Sequence, residues 1–436
     1  LQIKEKMAES QIIVGLDIGT TKIVAIAGRI SEHGKVEILG IGRAESLGVK
    51  RGVVANIEKT VQSIDQAVKQ LEESADINVK VVHVGIAGQH IKSLQHRGML
   101  TRDDVETEIN VDDINKLVRD MHKIALPAGE KIIHVLPQEF IVDEEQGIKD
   151  PVGMAGVRLQ ANFHVITGHV TAARNITKCV ERADIKVSDM ILEPLASAEA
   201  VLSEEEMEAG VALVDIGGGT TDIAIFQDGI IRHTAVIPFG GNIITEDIKE
   251  GCMIMTNQAE QLKQRFGCAI ADNAQSNEIV AIPRLRGREP KEISIKTLSQ
   301  IIQARMEEIL EQVQSEILLS GYEKKLIAGI VLTGGGSQLK HIIQLAQLVT
   351  QLDARIGLPN EHVAGSKDDR VKNPMYATGI GLIIKGAMTL AEESGENNLA
   401  SVGPSATRDS KEERSWFKRM IQKSEDWFNK DFTEFE

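Results

Sequence analysis

The sequence predicts an α/β fold of two related α/β domains facing each other across a cleft, each with an inserted subdomain. Two stretches carry most of that reading. Ile12 to Ile26 and Val211 to Ile225 are built alike: an apolar run ends at an aspartate, a short Gly/Thr turn follows, and a second apolar run resumes. Each reads as two strands joined by a turn too tight for side chains. The third observation is that strand-like runs elsewhere alternate with stretches of helical period.

The first domain opens with the Ile12 hairpin and continues with a strand from Val36 to Gly42. Asn56 is placed to cap a helix whose apolar face holds Ile57, Val61, Ile64, Val68 and Leu71. A strand follows at Val79 to Ile86. Residues 87–166 change character and read as a small α/β insertion. Asn110, Asp112 and Asp113 start a helix with Ile114, Leu117, Val118, Met121 and Ile124 as its stripe, and strands are expected at 132–135, 140–142 and 157–166. The histidines here (His90, His96, His122, His134, His164) fit no metal spacing. The first domain then resumes with a helix from Val170, a strand from Val187 to Leu192, and a Pro-initiated, small-residue helix from Glu193 to Leu202.

The second domain repeats the theme. After its hairpin come a strand from Asp228 to Pro238 and a helix start at Gly240. Residues 248–325 read as mostly helical, with amphipathic stretches at 259–263 and 298–319. Between those lies the basic run Arg284, Arg286, Arg288 and Lys291. A strand from Ile327 to Leu332 enters a third Gly-rich turn, Thr333 to Ser337, and Asn373 to Leu382 is a second small-residue helix. Small residues let helices cross closely, and the two such helices suit a hinge between domains. The expected division is 8–86 with 167–206 as first core, 87–166 as its insertion, 207–247 with 326–390 as second core, and 248–325 as its insertion. A linker at 391–412 and an amphipathic helix at 413–432 complete the chain.

The chemistry follows from the turns. Glycines there expose backbone N–H groups that form a nest for an anion, and threonine hydroxyls add donors. Lys22 in the first copy, where the second has Asp222, can neutralise phosphate charge. Asp215, at its strand tip, can hold a water of hydrated Mg²⁺, and Asp17 matches it. Facing each other, the hairpins would clamp a nucleotide's phosphates from both sides. The net charge of −15 argues against nucleic acid as a partner. Cys179, Cys252 and Cys268 have no metal spacing and read as buried thiols of a reducing compartment. No signal peptide or membrane-spanning apolar run is evident, and Leu1 to Lys6 reads as sequence upstream of a natural start at Met7.

Taken together, Gly15 to Lys22, Leu213 to Asp222, Leu332 to Ser337 and the two small-residue helices resemble the five nucleotide-site elements of the actin, sugar-kinase and chaperone ATPase superfamily. Within it the chain is most similar to the FtsA family of bacterial cell-division actin homologues. The wording of the first hairpin, the insertion at 87–166 and the linker with its C-terminal helix carry that likeness. The resemblance implies an actin-like fold that binds ATP and Mg²⁺ between two halves and turns ATP over weakly at most. It also implies self-assembly into filaments, capture of the FtsZ C-terminal tail, contact with later division proteins, and attachment to the inner face of the cytoplasmic membrane at the septum. On that resemblance Asp17 and Asp215 approach the hydrated metal. Gly19, Thr20, Thr21, Lys22, Gly217, Gly218, Gly219, Thr220 and Thr221 hold the phosphates, and Glu260 and Lys263 touch ribose and base. Gly334, Gly335 and Gly336 lie beneath the adenosine, and Glu193 sits where related ATPases position water. The family places its FtsZ site in the helical insertion, where Arg284, Arg286, Arg288, Lys291 and Arg305 are the candidate contacts. A PilM-like pilus-assembly homologue and a metabolic kinase of the same superfamily are the rival readings.

The last 26 residues, 411–436, hold six of the thirteen aromatics and both tryptophans. On a helix, Trp416, Phe417, Met420, Ile421, Trp427 and Phe428 fall within an arc of roughly 140°. Arg419, Lys423 and Lys430 flank it, suited to anionic headgroups. The stretch is far short of the ~20 residues a span takes, so it is expected to lie flat on the membrane. Flotation with anionic liposomes checks this: the intact chain should float, whereas a chain ending at Ala400 or one carrying Trp416→Glu with Phe417→Glu should stay behind.

Overall fold

The structure, a computed structural model, describes residues 12–31, 35–102, 107–274, 278–284, 289–359, 363–364 and 369–393. The expected C-terminal helix, with Trp416, Phe417, Met420, Ile421, Trp427 and Phe428, lies outside these, as do Arg286 and Arg288.

Along the first core run β1 (Ile13–Ile18), β2 (Lys22–Ile30), β3 (Val36–Glu45), the two-residue strands β4 (Val49–Lys50) and β5 (Val53–Val54), α1 (Ile57–Ala75) and β6 (Val81–Ile86). Asn56 caps α1 by accepting from Lys59 N at 3.0 Å. The insertion holds β7 (Lys92–Thr101), α2 (Val111–Met121), β8 (Glu130–Val142), β9 (Glu145–Ile148) and β10 (Arg158–His169). Asn110 and Asp113 form a reciprocal capping box at the start of α2. Helix α3 (Val170–Glu181), β11 (Lys186–Leu192) and α4 (Glu193–Val201) return to the core.

The second core begins after α5 (Glu204–Ala209) with β12 (Val211–Ile216), β13 (Thr221–Gln227) and β14 (Ile230–Ile237). Then come α6 (Gly241–Cys252), α7 (Thr256–Phe266), β15 (Ile279–Ile282), β16 (Lys291–Ser294) and the long α8 (Ile295–Ser320). The chain returns through β17 (Ile330–Thr333), α9 (Ile342–Thr350), β18 (Ala354–Ile356) and α10 (Ala377–Glu393).

The two core sheets have the same design. Their strand orders are β11-β6-β1-β2-β3 and β18-β17-β12-β13-β14. In each, the hairpin strands pair antiparallel and the first of them pairs parallel with a later strand. The chain is therefore an actin-like α/β protein with two sheet-containing domains. Strand β12 shows how the domains share a core. Its side chains alternate, so Val211 and Leu213 join the cluster of the first core while Ala212, Val214 and Ile216 face the helices of the second.

Two features differ from the sequence expectations. Residues 279–294 contain the antiparallel pair β15–β16 inside a region read as mostly helical, because two four-residue strands leave too little period to detect. Of the basic run, Arg284 lies just after β15 and Lys291 opens β16. The sequence also gives no sign of strand β7, since one of its faces carries Gln95, Arg97, Met99 and Thr101, all exposed, and leaves no continuous apolar run.

The insertion's four-stranded sheet, β7-β10-β8-β9, leans on both cores. Gln138 donates to the carbonyls of Ile231 and Arg232 on β14 at 2.9 and 3.1 Å, and Ser93 donates to that of Thr234 at 3.2 Å. Gln95 donates to His164 Nδ1 at 3.1 Å, so His164 Nε2 carries the proton and donates to Thr234 Oγ1 at 3.0 Å. On the other side His134 Nε2 accepts from Leu192 N at 3.1 Å. Burial holds His134 and His164 neutral, each with its value pushed down to about 3.

Helices α4 and α10 cross at near backbone contact. A Cβ on Gly381 would sit 1.8 Å from the Ala196 carbonyl oxygen, and one on Gly15 would sit 2.7 Å from that of Gly379. An alanine in a helix normally gains about 1 kcal/mol over glycine, but here the neighbour is backbone and cannot swing away. Gly381→Ala is therefore expected to destabilise the fold by about 1–3 kcal/mol, the usual cost of overpacking. Thermal or denaturant unfolding followed by circular dichroism checks the sign; a raised midpoint would contradict it.

Candidate functional site

The site forms where the two hairpin turns meet. Strand β1 ends at Ile18 and β2 begins at Lys22, leaving Gly19, Thr20 and Thr21 as the first turn; Gly217 to Thr220 make the second. The turns approach edge to edge. A Cβ on Gly218 would come 2.6 Å from Thr21 Oγ1, and one on Gly219 2.5 Å from Thr20 Oγ1. Only glycine allows that approach. Gly52 N donates to Thr20 Oγ1 at 3.1 Å, which ties the first turn to the loop after β4.

Carboxyl groups crowd behind the turns. Asp17 is buried and lies 3.5 Å from Lys22 Nζ. Asp215 and Asp222 stand directly opposite one another across the β12–β13 hairpin, a like-charge pair that neutral side chains would avoid. Asp222 Oδ2 accepts from Thr220 Oγ1 at 2.9 Å, while Oδ1 is buried with no hydrogen-bond partner. Glu193, the first residue of α4, lies over Gly85, where a Cβ would approach its Cγ to 2.9 Å. Burial, then Asp17, Asp222 and Asp215, push the Glu193 carboxyl well up, against the pull of Lys22. Burial likewise raises Asp215, opposed by Ser197 and Lys22. Burial and then Asp215 push Asp222 up to about 7.

The remaining expected residues connect to these turns. Gly241 N donates to the Gly217 carbonyl and Asn242 N to that of Gly218, both at 2.8 Å, so the start of α6 is sewn to the second turn. Lys263 Nζ donates to the Gly241 carbonyl at 2.8 Å and lies 2.7 Å from Glu260 Oε2. Burial pushes Glu260 up, but Lys263 and the hydrogen bonds from Lys263, Thr245 and Gln264 outweigh it and hold the carboxyl below its usual value. Burial also lowers Lys263, with Glu260 opposing. Thr221 is fully buried and donates to the Phe239 carbonyl at 2.9 Å, away from the other hydroxyls' partners. Gly334 has a left-handed φ of 81°, and its missing side chain leaves room for Asp215 Oδ1, 2.2 Å from where a Cβ would be. Gly336 packs on Ile216, whereas a Cβ on Gly335 would meet nothing within 4 Å.

The residues fit a bound Mg-nucleotide. Glycine-lined turns with Thr20, Thr21 and Lys22 offer donors to phosphate, and the carboxylate crowd leaves negative charge for a cation to offset. Among the described residues no three His, Cys, Asp or Glu side chains are grouped so as to ligate a metal directly. The basic set is less concentrated. Arg284 is exposed, and Lys291 donates to the Cys252 carbonyl at 2.5 Å. Arg305 forms a two-pronged pair with Asp247 at 2.6 and 3.1 Å and also binds Glu308. Sequence reasoning gave no role to Ser197, Thr378 or Gly85. Ser197 was discoverable in principle, since it lies one helical turn after Glu193 on the same face.

Comparison with known proteins agrees with this architecture. Residues 212–381 match the family described as "Cell division protein FtsA", and residues 88–167 match "SHS2 domain inserted in FTSA". The chain is 43% identical over 399 residues to the "Cell division protein FtsA" of Pseudomonas aeruginosa, covering 92% of this chain and 94% of that one. To the Escherichia coli K12 protein of that name it is 37% identical over 434 residues, covering 98% and 100%. The chain belongs to the FtsA family. Solved structures sharing the fold include the "PilM-PilN type IV pilus biogenesis complex", with TM-score 0.63 and 15% identity over 86% of this chain and 98% of that one. Another is MreB5 of Spiroplasma citri bound to ADP, with TM-score 0.51 and 14% identity over 90% and 99%. At such identities these likenesses show the fold alone, whereas membership of the FtsA family rests on sequence over nearly the whole chain.

The carboxylate crowd has a measurable cost without ligand. Asp222 is raised from 3.8 to about 7, so its ionised form is disfavoured in the fold and stability falls as pH rises from about 4 through 7. Asp222→Asn removes that group's share. Free of nucleotide and Mg²⁺, the variant's melting temperature is expected to drop less between pH 5 and pH 8 than that of the parent. Equal drops would show that Asp222 carries no such strain.

Proposed function

We propose that this chain is an ATP-binding, actin-like cell-division protein that polymerises on the inner face of the cytoplasmic membrane and tethers FtsZ filaments to it at the septum. The observation that carries the reading is the meeting of the two turns over buried Asp17 and Asp222 and half-buried Asp215 and Glu193 in a chain of the FtsA family. Thr20, Thr21, Lys22 and Gly217 to Thr220 would hold the phosphates, with Thr221 buried behind them, and Asp17 and Asp215 the hydrated Mg²⁺. Glu260, Lys263 and Gly334 to Gly336 would frame the nucleoside. Bound Mg²⁺ supplies charge that offsets the phosphates. Glu193 would position water at most slowly, since a carboxyl group pushed well above its ordinary value is a poor base while protonated.

The division into cores 8–86 with 167–206 and 207–247 with 326–390, and insertions 87–166 and 248–325, is part of this proposal. Family membership supports filament formation by the chain itself and contact with later division proteins. For the FtsZ tail, an acidic peptide arriving at the helical insertion would meet Arg284 directly and reach Arg305 by displacing Asp247 and Glu308. No helix among the described residues is long and apolar enough to cross a membrane. The helix at 413–432, beyond the described residues, is the proposed in-plane anchor. A single helix of this kind binds weakly, so several on one filament would act together. The PilM-like reading is not favoured: that likeness is one of fold, at 15% identity.

Recruitment tests the proposal. With anionic liposomes and Mg-ATP, FtsZ should float together with the intact chain and sediment without it. An intact chain that floats while FtsZ stays at the bottom would overturn the tethering role.

A further inference from the structure

We infer that Ser197 and Thr378 are positioning residues for the Mg-nucleotide site, clamping Asp215 from the two crossing helices at once. This rests on the reading of Asp215 as a carboxylate that holds the hydrated cation. Ser197 Oγ lies on α4 and donates to Asp215 Oδ2 at 2.9 Å. Thr378, the second residue of α10, has its Oγ1 3.0 Å from Ser197 Oγ and 3.5 Å from the same Asp215 oxygen. Both residues are buried, at 0% and 7% exposure, on helices rich in Ala, Gly, Leu and Ile. A hydroxyl in such a place needs a partner, and here the partner is shared.

The arrangement fixes one end of the carboxylate and leaves the other for the ligand. Oδ2 is taken by the hydroxyls, while Oδ1 rests against Gly334 at the third Gly-rich turn. The clamp also reports on the hinge. Helix α4 continues from β11 of the first core, and α10 packs on β1 of that core while its lead-in residue Pro374 accepts from Thr333 of the second. Ser197 and Thr378 can therefore both reach Asp215 only when α4 and α10 cross as they do at Gly381 and Ala196. Sliding of that crossing would loosen the carboxylate, so cleft geometry and cation hold are coupled through two hydroxyls.

The test is ATP affinity by calorimetry, measured with Mg²⁺ and with EDTA. Asp215→Ala is the reference and should lose about 10–100-fold with Mg²⁺, the usual effect of removing an outer-shell carboxylate, with little change in EDTA. Ser197→Ala combined with Thr378→Val keeps side-chain shape and should reproduce much of that Mg²⁺-specific loss. Thr378→Ser, which keeps the hydroxyl, should retain parental affinity. Added to Asp215→Ala, the pair should cost nothing more, because the interaction is already gone. If the double substitution weakens binding equally with and without Mg²⁺, or its effect adds fully to that of Asp215→Ala, the hydroxyls serve packing alone and the inference falls. Should Asp215→Ala itself leave the Mg²⁺ dependence unchanged, the assignment of the cation site fails first, and this inference with it. Thr378→Val alone carries the same comparison if the double variant does not fold.

Discussion

The crowding of Asp17, Glu193, Asp215 and Asp222 around Lys22 is the constraint on which the rest of the structure depends. Like charges in a low-dielectric interior repel strongly, and each buried carboxylate also loses hydration. Nothing in packing alone would assemble them. The fold holds them there by placing two of them at the tips of β1 and β12, one opposite its neighbour on β13, and one at the start of α4. Positive charge placed between the turns would offset this repulsion.

That assembly requires the two cores to meet closely, and glycine is what permits it. Gly218 and Gly219 let one turn lie against the threonines of the other, while Gly15 and Gly381 let α10 settle on β1 and α4. In each case the obstructing atoms include backbone or a short branched side chain, so no rotamer change would make room. The same helices carry the hydroxyls that hold Asp215, and the apolar cluster of the first core extends through α10 to one face of β12. Crossing helices, core and site are one connected body.

The insertion joins this body by both kinds of contact: Ile91, Ile133, Leu136 and Ile166 belong to the apolar cluster of the first core, and hydrogen bonds reach further. Gln138, Ser93 and His164 reach β14 of the second core, while His134 reaches the backbone just ahead of Glu193. Hydrogen bonds of this kind each contribute on the order of 1 kcal/mol, beside the apolar packing that the insertion shares with the first core. The insertion thus spans both cores, bound to the first through shared apolar packing and to β14 of the second through hydrogen bonds.

The sequence by itself determined the doubled hairpins, the strand–helix alternation and the small-residue helices, because each is a local pattern with its own period or turn chemistry. Asp17, Asp215, Thr20, Thr21 and Lys22 were legible because they stand at fixed offsets from glycines. Only the tertiary structure decided that Ser197 and Thr378 share one oxygen of Asp215, that Asp222 faces Asp215, and that Glu193 lies over Gly85. It likewise decided that Gln138 and His164 reach a strand some seventy to ninety residues away. Such pairings are set by how packed elements cross, and the residues that make them, an ordinary serine, threonine or glutamine, look the same in sequence whether they face water or a buried carboxylate.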